Sequence, residues 1–324
     1  MYDAVIVGAG PAGLSAALIL GRCSRHVLVC DRGGQRNRWA RQQNGFLSRD
    51  GIDPAEFRRI ACEQMAKYET VEIRDVAVAE VERREDRYAA ALADGTRVVA
   101  RKLLLATGVL DELPPIPGFE AFYGKSAHHC PYCDGWDWRD QPLAVYGRGE
   151  EGKGMALELT GWSRDLVLCT DGPAEISPHD RERLARNGIG LREERITGLE
   201  GTDGMLERIR FETGEVLPRR ALFFNTGSHQ ASDLARQLGC PLTRKGSVET
   251  SSYEQTAIPG LYVAGDASRH VQLSVVAAAE GAMAAFAINM ELLKEELHAG
   301  GEGVALDKAA HLLVEAVPQR AGTA

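Results

Sequence analysis

A strand, a glycine-rich turn and a helix occur in succession twice in this chain, and this repeat restricts its fold more than any other feature. The first copy, "AVIVGAGPAGLSAALILGR" at 4–22, carries Gly8, Gly10 and Gly13 in a G-x-G-x-x-G pattern. These glycines allow a tight turn, a close approach of backbone to a pyrophosphate, and close packing of strand on helix. Asp31 stands eighteen residues after Gly13, where a carboxylate can accept hydrogen bonds from an adenosine ribose. The segment therefore predicts a dinucleotide site.

The second copy, "LAVYGRGEEGKGMALELTGW" at 143–162, places Gly147, Gly149 and Gly152 in the same pattern. Two strand-like runs, "KLLLATG" at 102–108 and "ALFFNTG" at 221–227, each follow one of the glycine loops and both end in Thr-Gly. We therefore predict an α/β fold with two Rossmann-like dinucleotide-binding domains, each a parallel sheet with a crossover helix.

The order of the segments predicts that the second domain is inserted into the first. The Pro-rich run "DELPPIPG" at 111–118 is typical of a linker, and "IPGLYVAGDAS" at 258–268 supplies another strand before a long helical pattern. The first domain would comprise residues 1–112 and 241–324, and the second residues 113–240. A tail from about residue 299 to 324 carries a further helical pattern.

Charge and hydropathy restrict the partners and the compartment. The 38 basic and 46 acidic residues give a net charge of −8, which predicts no binding to nucleic acid or to an anionic membrane. Because no signal peptide pattern and no run of about 18 uninterrupted apolar residues is found, we expect a cytoplasmic protein. In a reducing compartment the isolated cysteines are expected to be small buried side chains. They are Cys23, Cys30, Cys62, Cys169 and Cys240.

The stretch "HHCPYCDG" at 128–135 pairs Cys130 and Cys133 in a C-x-x-C motif. It is compatible with half of a zinc site, with a redox-active dithiol, or with two cysteines that only pack together. Zinc requires four ligands, and no second Cys or His pair occurs at ligand spacing, so we predict no metal site. A redox dithiol requires a stabilised thiolate, a second thiol and a proton donor. Asp134 can be that donor if partial burial keeps it protonated.

Several motifs occur in an order that resembles a known family. They are "GAGPAG", "GGQ" at 33–35, "LLATG" at 104–108, "IPGFEAFYGKSAHHCPYCDG" at 116–135 and "GLYVAGD" at 260–266. This order is similar to that of the low-molecular-weight thioredoxin reductases, within the FAD-dependent pyridine nucleotide-disulfide oxidoreductases, which include NADPH-independent and dithiol-oxidase relatives. The resemblance extends to about residue 297. It is specific because the C-x-x-C lies in the second domain, whereas the larger disulfide reductases carry theirs in the flavin domain.

The resemblance implies FAD in the first domain. The ADP half would lie on the first glycine loop with Asp31 at the ribose, and Asp266 would hold the ribityl chain. Gln35 and Asn44 would lie near the flavin. A helix that begins at about Gln272 would point backbone N–H groups at a reduced, anionic flavin. The remaining expected cofactor contacts stand at a strand end and at this helix start: Thr107, Gly108, Gln272 and Leu273.

The same resemblance implies roles within the C-x-x-C segment. Cys133 would contact the flavin C4a and exchange electrons with it, Cys130 would attack the substrate disulfide, and Asp134 would protonate the leaving thiolate. We interpret His128 and His129 as a polar turn beside the site. Since the family is homodimeric, a homodimer is expected.

The second glycine loop departs from the pattern of the NADPH-dependent members. After the strand "DLVLC" no arginine occurs before Arg181, and acidic residues there would repel a 2′-phosphate, which argues against NADP. Asp171 stands nineteen residues after Gly152, which suits the ribose of NAD. Glu150 and Glu151 either occupy the pyrophosphate position or face solvent as first-turn acids. We expect NAD(P)H binding to be atypical or absent, with NADH left open.

Three functions are compatible with these features. The first is reduction of a disulfide on a thioredoxin-like protein or a small molecule, with electrons from NADH or from a protein such as ferredoxin. The second is a dithiol oxidase that closes a disulfide in a small molecule and passes electrons to oxygen. Those enzymes commonly carry histidine after the C-x-x-C, so Asp134 favours the reductase. The third is a non-catalytic flavin-binding redox sensor, against which the intact "CPYCDG" argues.

Overall fold

Two parallel sheets and their connecting helices form the framework of the molecule. The computed structural model describes residues 1–299, so the tail predicted from about residue 299 onward falls outside the described residues. The strands are β1 (Tyr2–Val7), β2 (Val27–Cys30), β3 (Val71–Arg74), β4 (Val78–Arg84), β5 (Arg87–Leu92), β6 (Arg97–Leu105), β7 (Val109–Asp111), β8 (Ala127–His128), β9 (Leu143–Tyr146), β10 (Leu166–Cys169), β11 (Ile189–Arg192), β12 (Ile196–Thr202), β13 (Met205–Phe211), β14 (Val216–Pro218), β15 (Ala221–Phe224), β16 (Ser228–Gln230) and β17 (Leu261–Val263). The α-helices are α1 (Pro11–Arg22), α2 (Pro54–Met65), α3 (Pro131–Asp134), α4 (Gly149–Glu158), α5 (Pro178–Arg186), α6 (Leu234–Gln237) and α7 (Ser274–Ala299).

The first sheet has seven strands and holds the first glycine loop between β1 and α1. Its strands β3, β2, β1, β6 and β17 are parallel. β6 is long enough to have two neighbours on one side, because its C-terminal half pairs with β17 and its N-terminal half pairs antiparallel with β5. Since β17 comes from much later in the chain, two distant segments complete this one sheet.

Helices α1 and α7 pack against each other on one face of the first sheet. Their approach is so close that a Cβ at Gly281 of α7 would lie 1.9 Å from the Ala12 carbonyl oxygen of α1. By length and composition alone, Ser274–His298 could cross a membrane. Its residues Ala284 and Ile288 are completely buried in the core that α7 shares with α1 and the sheet. This packing is that of a core helix.

The second sheet holds the second glycine loop and has the parallel strand order β11-β10-β9-β15-β8. Helices α4 and α5 contribute to the core on one face, and the antiparallel sheet β12-β13-β14 contributes to the core on the other. The predicted α/β class with two Rossmann-like domains is confirmed. The antiparallel strands β4, β5 and β12 to β14 are additions that the repeat did not predict.

Two short strands connect the domains. β7 and β16 pair antiparallel, with Asp111 opposite Ser228, so the chain segments that leave and re-enter the first domain lie side by side. After β16, Leu234 and Cys240 pack into the core of the first sheet. This packing favours an end of the inserted domain near residues 228–230 over the expected end near residue 240.

Candidate functional site

The carboxyl ends of β1, β2, β6 and β17 open into one deep cleft. Its empty space, including the open mouth, is about 1700 Å³. The predicted cofactor residues that line it are Gly8, Gly10, Asp31, Gln35, Asn44, Thr107, Gly108, Asp266, Gln272 and Leu273. Cys133 and Asp134 of the second domain line the same cleft.

The three glycines of the first loop are required for different structural reasons. Gly8 has a φ of +107°, and a Cβ there would lie 2.4 Å from the Ala106 carbonyl oxygen. A Cβ at Gly13 would lie 1.9 Å from the Gly8 oxygen, so Gly13 serves packing behind the cleft. Gly10 caps α1, and no atom of residues 1–299 lies within 4 Å of its Cβ position. Because the first turn of α1 carries no acidic residue, its N-terminus is open to a diphosphate and fits FAD.

Asp31 lies at the end of β2 and is 5% exposed. Its Oδ2 accepts hydrogen bonds from Gln35 Nε2 at 2.6 Å and from Arg58 Nη2 at 3.1 Å. Both donors use Oδ2, so Oδ1 retains its capacity for a ribose hydroxyl. The structure thus places Gln35 beside Asp31, the carboxylate predicted at the ribose, and the expectation that Gln35 lies near the flavin stays a prediction. Arg58, which the sequence did not single out, pairs with the charge of Asp31.

Cys130 and Cys133 are joined by a disulfide, with their Cα atoms 5.3 Å apart. Cys130 caps the short helix α3, and its Sγ accepts a hydrogen bond from the Cys133 backbone N–H at 3.1 Å. Of these two cysteines, Cys133 lines the cleft. The two cysteines are therefore joined as the dithiol interpretation expects, and Cys133 is nearer to the residues predicted to hold the flavin.

Asn44 connects the two domains at this point. Its side-chain amide donates to the Cys133 carbonyl oxygen at 2.9 Å and to Asp137 Oδ2 at 3.0 Å. Gln42 Nε2 donates to the same carboxylate oxygen at 2.9 Å. Asn44 therefore lies beside the disulfide, at the place where the cleft meets the second domain.

Arg36 connects several charged groups at the cleft, and the sequence analysis missed it. Its Nη1 donates to Asp266 Oδ2 at 2.9 Å and to Gln272 Oε1 at 2.6 Å, and its Nε donates to Asp111 Oδ2 at 2.8 Å. The Tyr123 hydroxyl also donates to Asp111. Burial opposes the charge of Asp111, but the hydrogen bonds and charge of Arg36, together with His129 and Tyr123, outweigh burial, and the pKa of Asp111 is lowered. The available signal was an arginine directly after "GGQ".

The interpretation of the two histidines as a polar turn is wrong for His128. This residue lies on β8 and is 6% exposed, because its ring packs between Trp138 and the second sheet. Trp138 Nε1 donates to His128 Nε2 at 3.0 Å, and His128 Nδ1 is 3.4 Å from Asp134 Oδ2. His129 Nδ1 is 3.7 Å from Asp111 Oδ2, and burial and a nearby guanidinium lower the pKa of His129.

The second glycine loop is closed by the chain itself. The Gly149 N–H, which would face a pyrophosphate in a Rossmann loop, donates to the Ala174 carbonyl oxygen at 2.9 Å. The Arg148 guanidinium donates to the Asp171 carbonyl oxygen. Asp171 Oδ1 accepts from the Ile196 N–H at 2.7 Å, so the carboxylate expected at an NAD ribose already has a protein partner.

The two acids of this loop face solvent. Glu150 and Glu151 are both exposed, and the Glu150 carboxylate pairs with Lys153 Nζ at 2.7 Å. Lys153 also pairs with Asp180 of α5 at 3.0 Å. Of the two alternatives drawn from the sequence, the structure therefore has the exposed first-turn acids. Closure of the loop comes from the segment that contains Asp171 and Ala174.

Comparison with known proteins gives a consistent result. The family model described as "Pyridine nucleotide-disulphide oxidoreductase" matches residues 2–281. A probable thioredoxin reductase of Arthroderma benhamiae is 31% identical over 337 residues, which cover 92% of this chain and 82% of that protein. The thioredoxin reductase tcpT of Claviceps purpurea is 32% identical over 280 residues, 82% of this chain and 86% of that protein.

Solved structures agree with these relatives. The crystal structure of the putative thioredoxin reductase TrxB from Bacillus anthracis superimposes with a TM-score of 0.87 at 33% sequence identity. The match covers 91% of this chain and all of that chain. The two glycine loops, the inserted second domain and the C-x-x-C segment are therefore compared over almost their whole length.

Proposed function

This chain belongs to the pyridine nucleotide-disulphide oxidoreductase family, and on that premise we propose that it is a FAD-dependent thiol–disulfide oxidoreductase similar to thioredoxin reductase. Its substrate would be a disulfide of a thioredoxin-like protein or of a small molecule. The observation that carries this proposal is that Cys133 lines the same cleft as the first glycine loop. FAD, when bound, would supply the carrier that exchanges two electrons with the disulfide.

The residues of the site would have separate roles in the reaction. Cys133, at the cleft, receives two electrons as its bond to Cys130 breaks, and Cys130 then attacks the substrate disulfide. Asp134 gives a proton to the sulfur that leaves. Asn44 holds the Cys133 backbone against the first domain, and Arg36 fixes Asp266 at the cofactor.

The second proposal concerns the source of the electrons. The Gly149 N–H already donates to Ala174, and the Arg148 side chain lies on the Asp171 backbone. A nicotinamide dinucleotide would have to displace these contacts, and the acidic segment after β10 would repel a 2′-phosphate. We therefore assign the electron supply to a protein donor such as ferredoxin, or to a dithiol, instead of NADPH or NADH.

The closed loop also favours a second candidate function, a dithiol oxidase. Without a nicotinamide donor, electrons can run from a small-molecule dithiol through Cys130 and Cys133 to the flavin, and from there to oxygen. Asp134 in place of histidine favours the reductase over this candidate. A redox sensor without turnover would bind FAD but would exchange no electrons with any dithiol.

Anaerobic mixing of the FAD-loaded protein with single donors separates these candidates. NADPH, NADH, a reduced ferredoxin and a small dithiol are added in separate experiments while the flavin absorbance is recorded. We expect bleaching by the dithiol and by ferredoxin, and none by either nicotinamide. Rapid bleaching by NADPH would overturn the proposed electron source. The variant Arg148→Ala tests whether the Arg148 side chain contributes to closure of the second glycine loop. Rapid reoxidation by air with disulfide formation in a dithiol would favour the oxidase.

Two further expectations concern the whole molecule. We propose a cytoplasmic protein and a homodimer. The dimer is supported by apolar side chains that remain exposed on α7, namely Val275, Met283 and Phe286, at 38%, 38% and 45% exposure. Light scattering after size exclusion measures the mass. A value of twice the 35.2 kDa chain supports the dimer, and the mass of one chain refutes it.

A further inference from the structure

Trp138 determines where the proton of the His128 ring lies. An indole N–H can only donate, and Trp138 Nε1 is 3.0 Å from His128 Nε2. Nε2 must therefore be the nitrogen without a proton, which leaves the ring proton on Nδ1. A second proton on the ring would break this hydrogen bond. As long as the bond to Trp138 exists, His128 is a neutral donor through Nδ1.

The donor nitrogen of His128 faces Asp134. Nδ1 is 3.4 Å from Asp134 Oδ2, and the Asp134 side chain is 17% exposed at the wall of the cleft. Asp134 directly follows Cys133, so its carboxyl group is bound to the redox-active segment itself. Because Nδ1 lies beside Oδ2, Oδ1 is the oxygen that remains for a transferable proton.

The ring of His128 lies against aromatic side chains, and charged groups lie on the side of His129. The aromatic neighbours, Phe223 of β15 and Trp138, carry no ionisable group. His129 interacts electrostatically with Asp134 and also with Arg36, Asp111 and Asp266. Burial and the Arg36 guanidinium lower the pKa of His129, which disfavours a charge on its ring.

We propose that His128 is a positioning residue for Asp134, and that Trp138 holds it in the tautomer which that role requires. The inference rests on the proposed function, because it gives a task to the carboxyl group of the same site. The juxtaposition that carries it is the chain of contacts from Trp138 through His128 to Asp134.

The chemistry of the step follows from this arrangement. Cys130 Sγ, as a thiolate, forms a bond to one sulfur of the substrate disulfide, and the substrate S–S bond breaks. The leaving sulfur takes the electron pair of that bond together with the proton of Asp134. The carboxylate so formed accepts the Nδ1–H of His128, and this charge-assisted hydrogen bond stabilises it.

The need for a proton depends on the leaving sulfur, and two probes exploit this. Hydroxyethyl disulfide releases a basic aliphatic thiolate that requires the proton, whereas dithiobis-nitrobenzoate releases a stable aromatic thiolate that does not. The protein is reduced with dithiothreitol, desalted anaerobically and mixed with each probe. General acid catalysis contributes about 10²- to 10⁴-fold, and loss of positioning removes part of it. We expect Trp138→Phe and His128→Asn to slow the aliphatic reaction about 10-fold and to leave the aromatic reaction within about twofold.

The matched control is Trp136→Phe. It is the same substitution two residues away, at a side chain that is 66% exposed. It should change neither rate. Asp134→Asn should show the same selectivity as the His128 variant, with a larger loss. Equal loss with both probes in Trp138→Phe and His128→Asn would indicate a merely structural role and would overturn the proposal.

A pH profile adds a readout that packing alone does not change. In Trp138→Phe the His128 Nε2 loses the indole donor and is open to a proton, so the aliphatic rate should gain an inflection with pH. The wild type should lack it, and the double variant with His128→Asn should lose it again. No inflection in Trp138→Phe would contradict the tautomer assignment. A failure of the proposed function itself would give a different result. The reduced wild type would then react with neither probe, or Cys130→Ser would react like the wild type.

Discussion

The side-chain amide of Asn44 donates to the Cys133 carbonyl oxygen at 2.9 Å, across the junction of the two domains. The same amide and the Gln42 amide both donate to Asp137, so three hydrogen bonds connect one loop of the first domain to the segment around the disulfide. The contact to Cys133 is the one made to a redox-active residue. We expect this contact to position the disulfide of the second domain at the cleft predicted for the cofactor.

Asn44→Ala should slow electron exchange between a dithiol and the flavin without reducing FAD content. A net hydrogen bond contributes about 0.5–1.5 kcal/mol, so we expect a rate lowered by about 3- to 10-fold. Stopped-flow bleaching of the flavin measures it. Gln42→Ala is the control, because it removes a contact to Asp137 and keeps the contact to Cys133, and its effect should be smaller. An unchanged rate in Asn44→Ala would show that the contact does not position the disulfide.

Gly10→Ala and Gly13→Ala should fail in different ways. A methyl group at Gly10 would project into open space with an ordinary φ of −78°, so the protein should fold but bind FAD at least about 10-fold more weakly. A methyl group at Gly13 would lie 1.9 Å from the Gly8 carbonyl oxygen and should lower the yield of folded protein. Flavin fluorescence titration and circular dichroism separate the two effects. Normal FAD affinity in Gly10→Ala would place the diphosphate elsewhere.

Arg36→Met should destabilise the first domain, because it leaves the Asp111 carboxylate, 3% exposed, without its cationic partner. Loss of one partner of a buried pair costs about 3–5 kcal/mol. The double variant with Asp111→Asn removes the unpaired charge and should recover most of the lost thermal stability. The midpoint temperature of unfolding, Tm, measures both. A double variant no more stable than Arg36→Met would show that charge pairing is not the main contribution of Arg36.

Glu280 should make stability depend on pH. Its Oε2 accepts from the Gly265 N–H at 2.8 Å, and burial, with Glu254 nearby, raises the pKa of Glu280 from 4.5 to about 7. The folded protein therefore holds a proton that the unfolded chain has released, so stability falls as pH rises from about 4.5 through 7. The full effect is about 3 kcal/mol. Glu280→Gln should have a flatter Tm profile between pH 5 and 8, and an equally steep profile would refute the assignment.

The fold could be predicted from the sequence because the motifs that determine it are local. Gly8, Gly10 and Gly13 are required by the backbone of one strand–helix turn, and the second loop repeats the same spacing. The assignment of the 258–268 strand to the first domain and of the C-x-x-C to the second followed from motif order, and the structure pairs β17 of that segment with β6. The antiparallel strands β12 to β14 carry short apolar patterns without a motif, so nothing in the sequence singled them out.

The missed parts of the site depend on contacts between residues far apart in the chain. Arg36 meets Asp266 and Gln272 across more than 200 residues, a relationship that no spacing rule predicts. His128 looked like part of a polar turn because of its polar neighbours, yet register places it on β8 under Trp138. The sequence left open whether Glu150 and Glu151 occupy the second glycine loop, whereas the backbone of Ala174 accepts from its Gly149 N–H.

The most direct test of the account is the absorbance spectrum of the FAD-loaded variant Cys130→Ser, compared with that of Cys133→Ser. With Cys130 replaced, Cys133 remains as a single thiolate beside the flavin, and the account predicts a long-wavelength charge-transfer band. With Cys133 replaced, no such band should appear and a dithiol should no longer bleach the flavin. A band in Cys133→Ser and none in Cys130→Ser would contradict the assignment of Cys133 as the cysteine that exchanges electrons with the flavin.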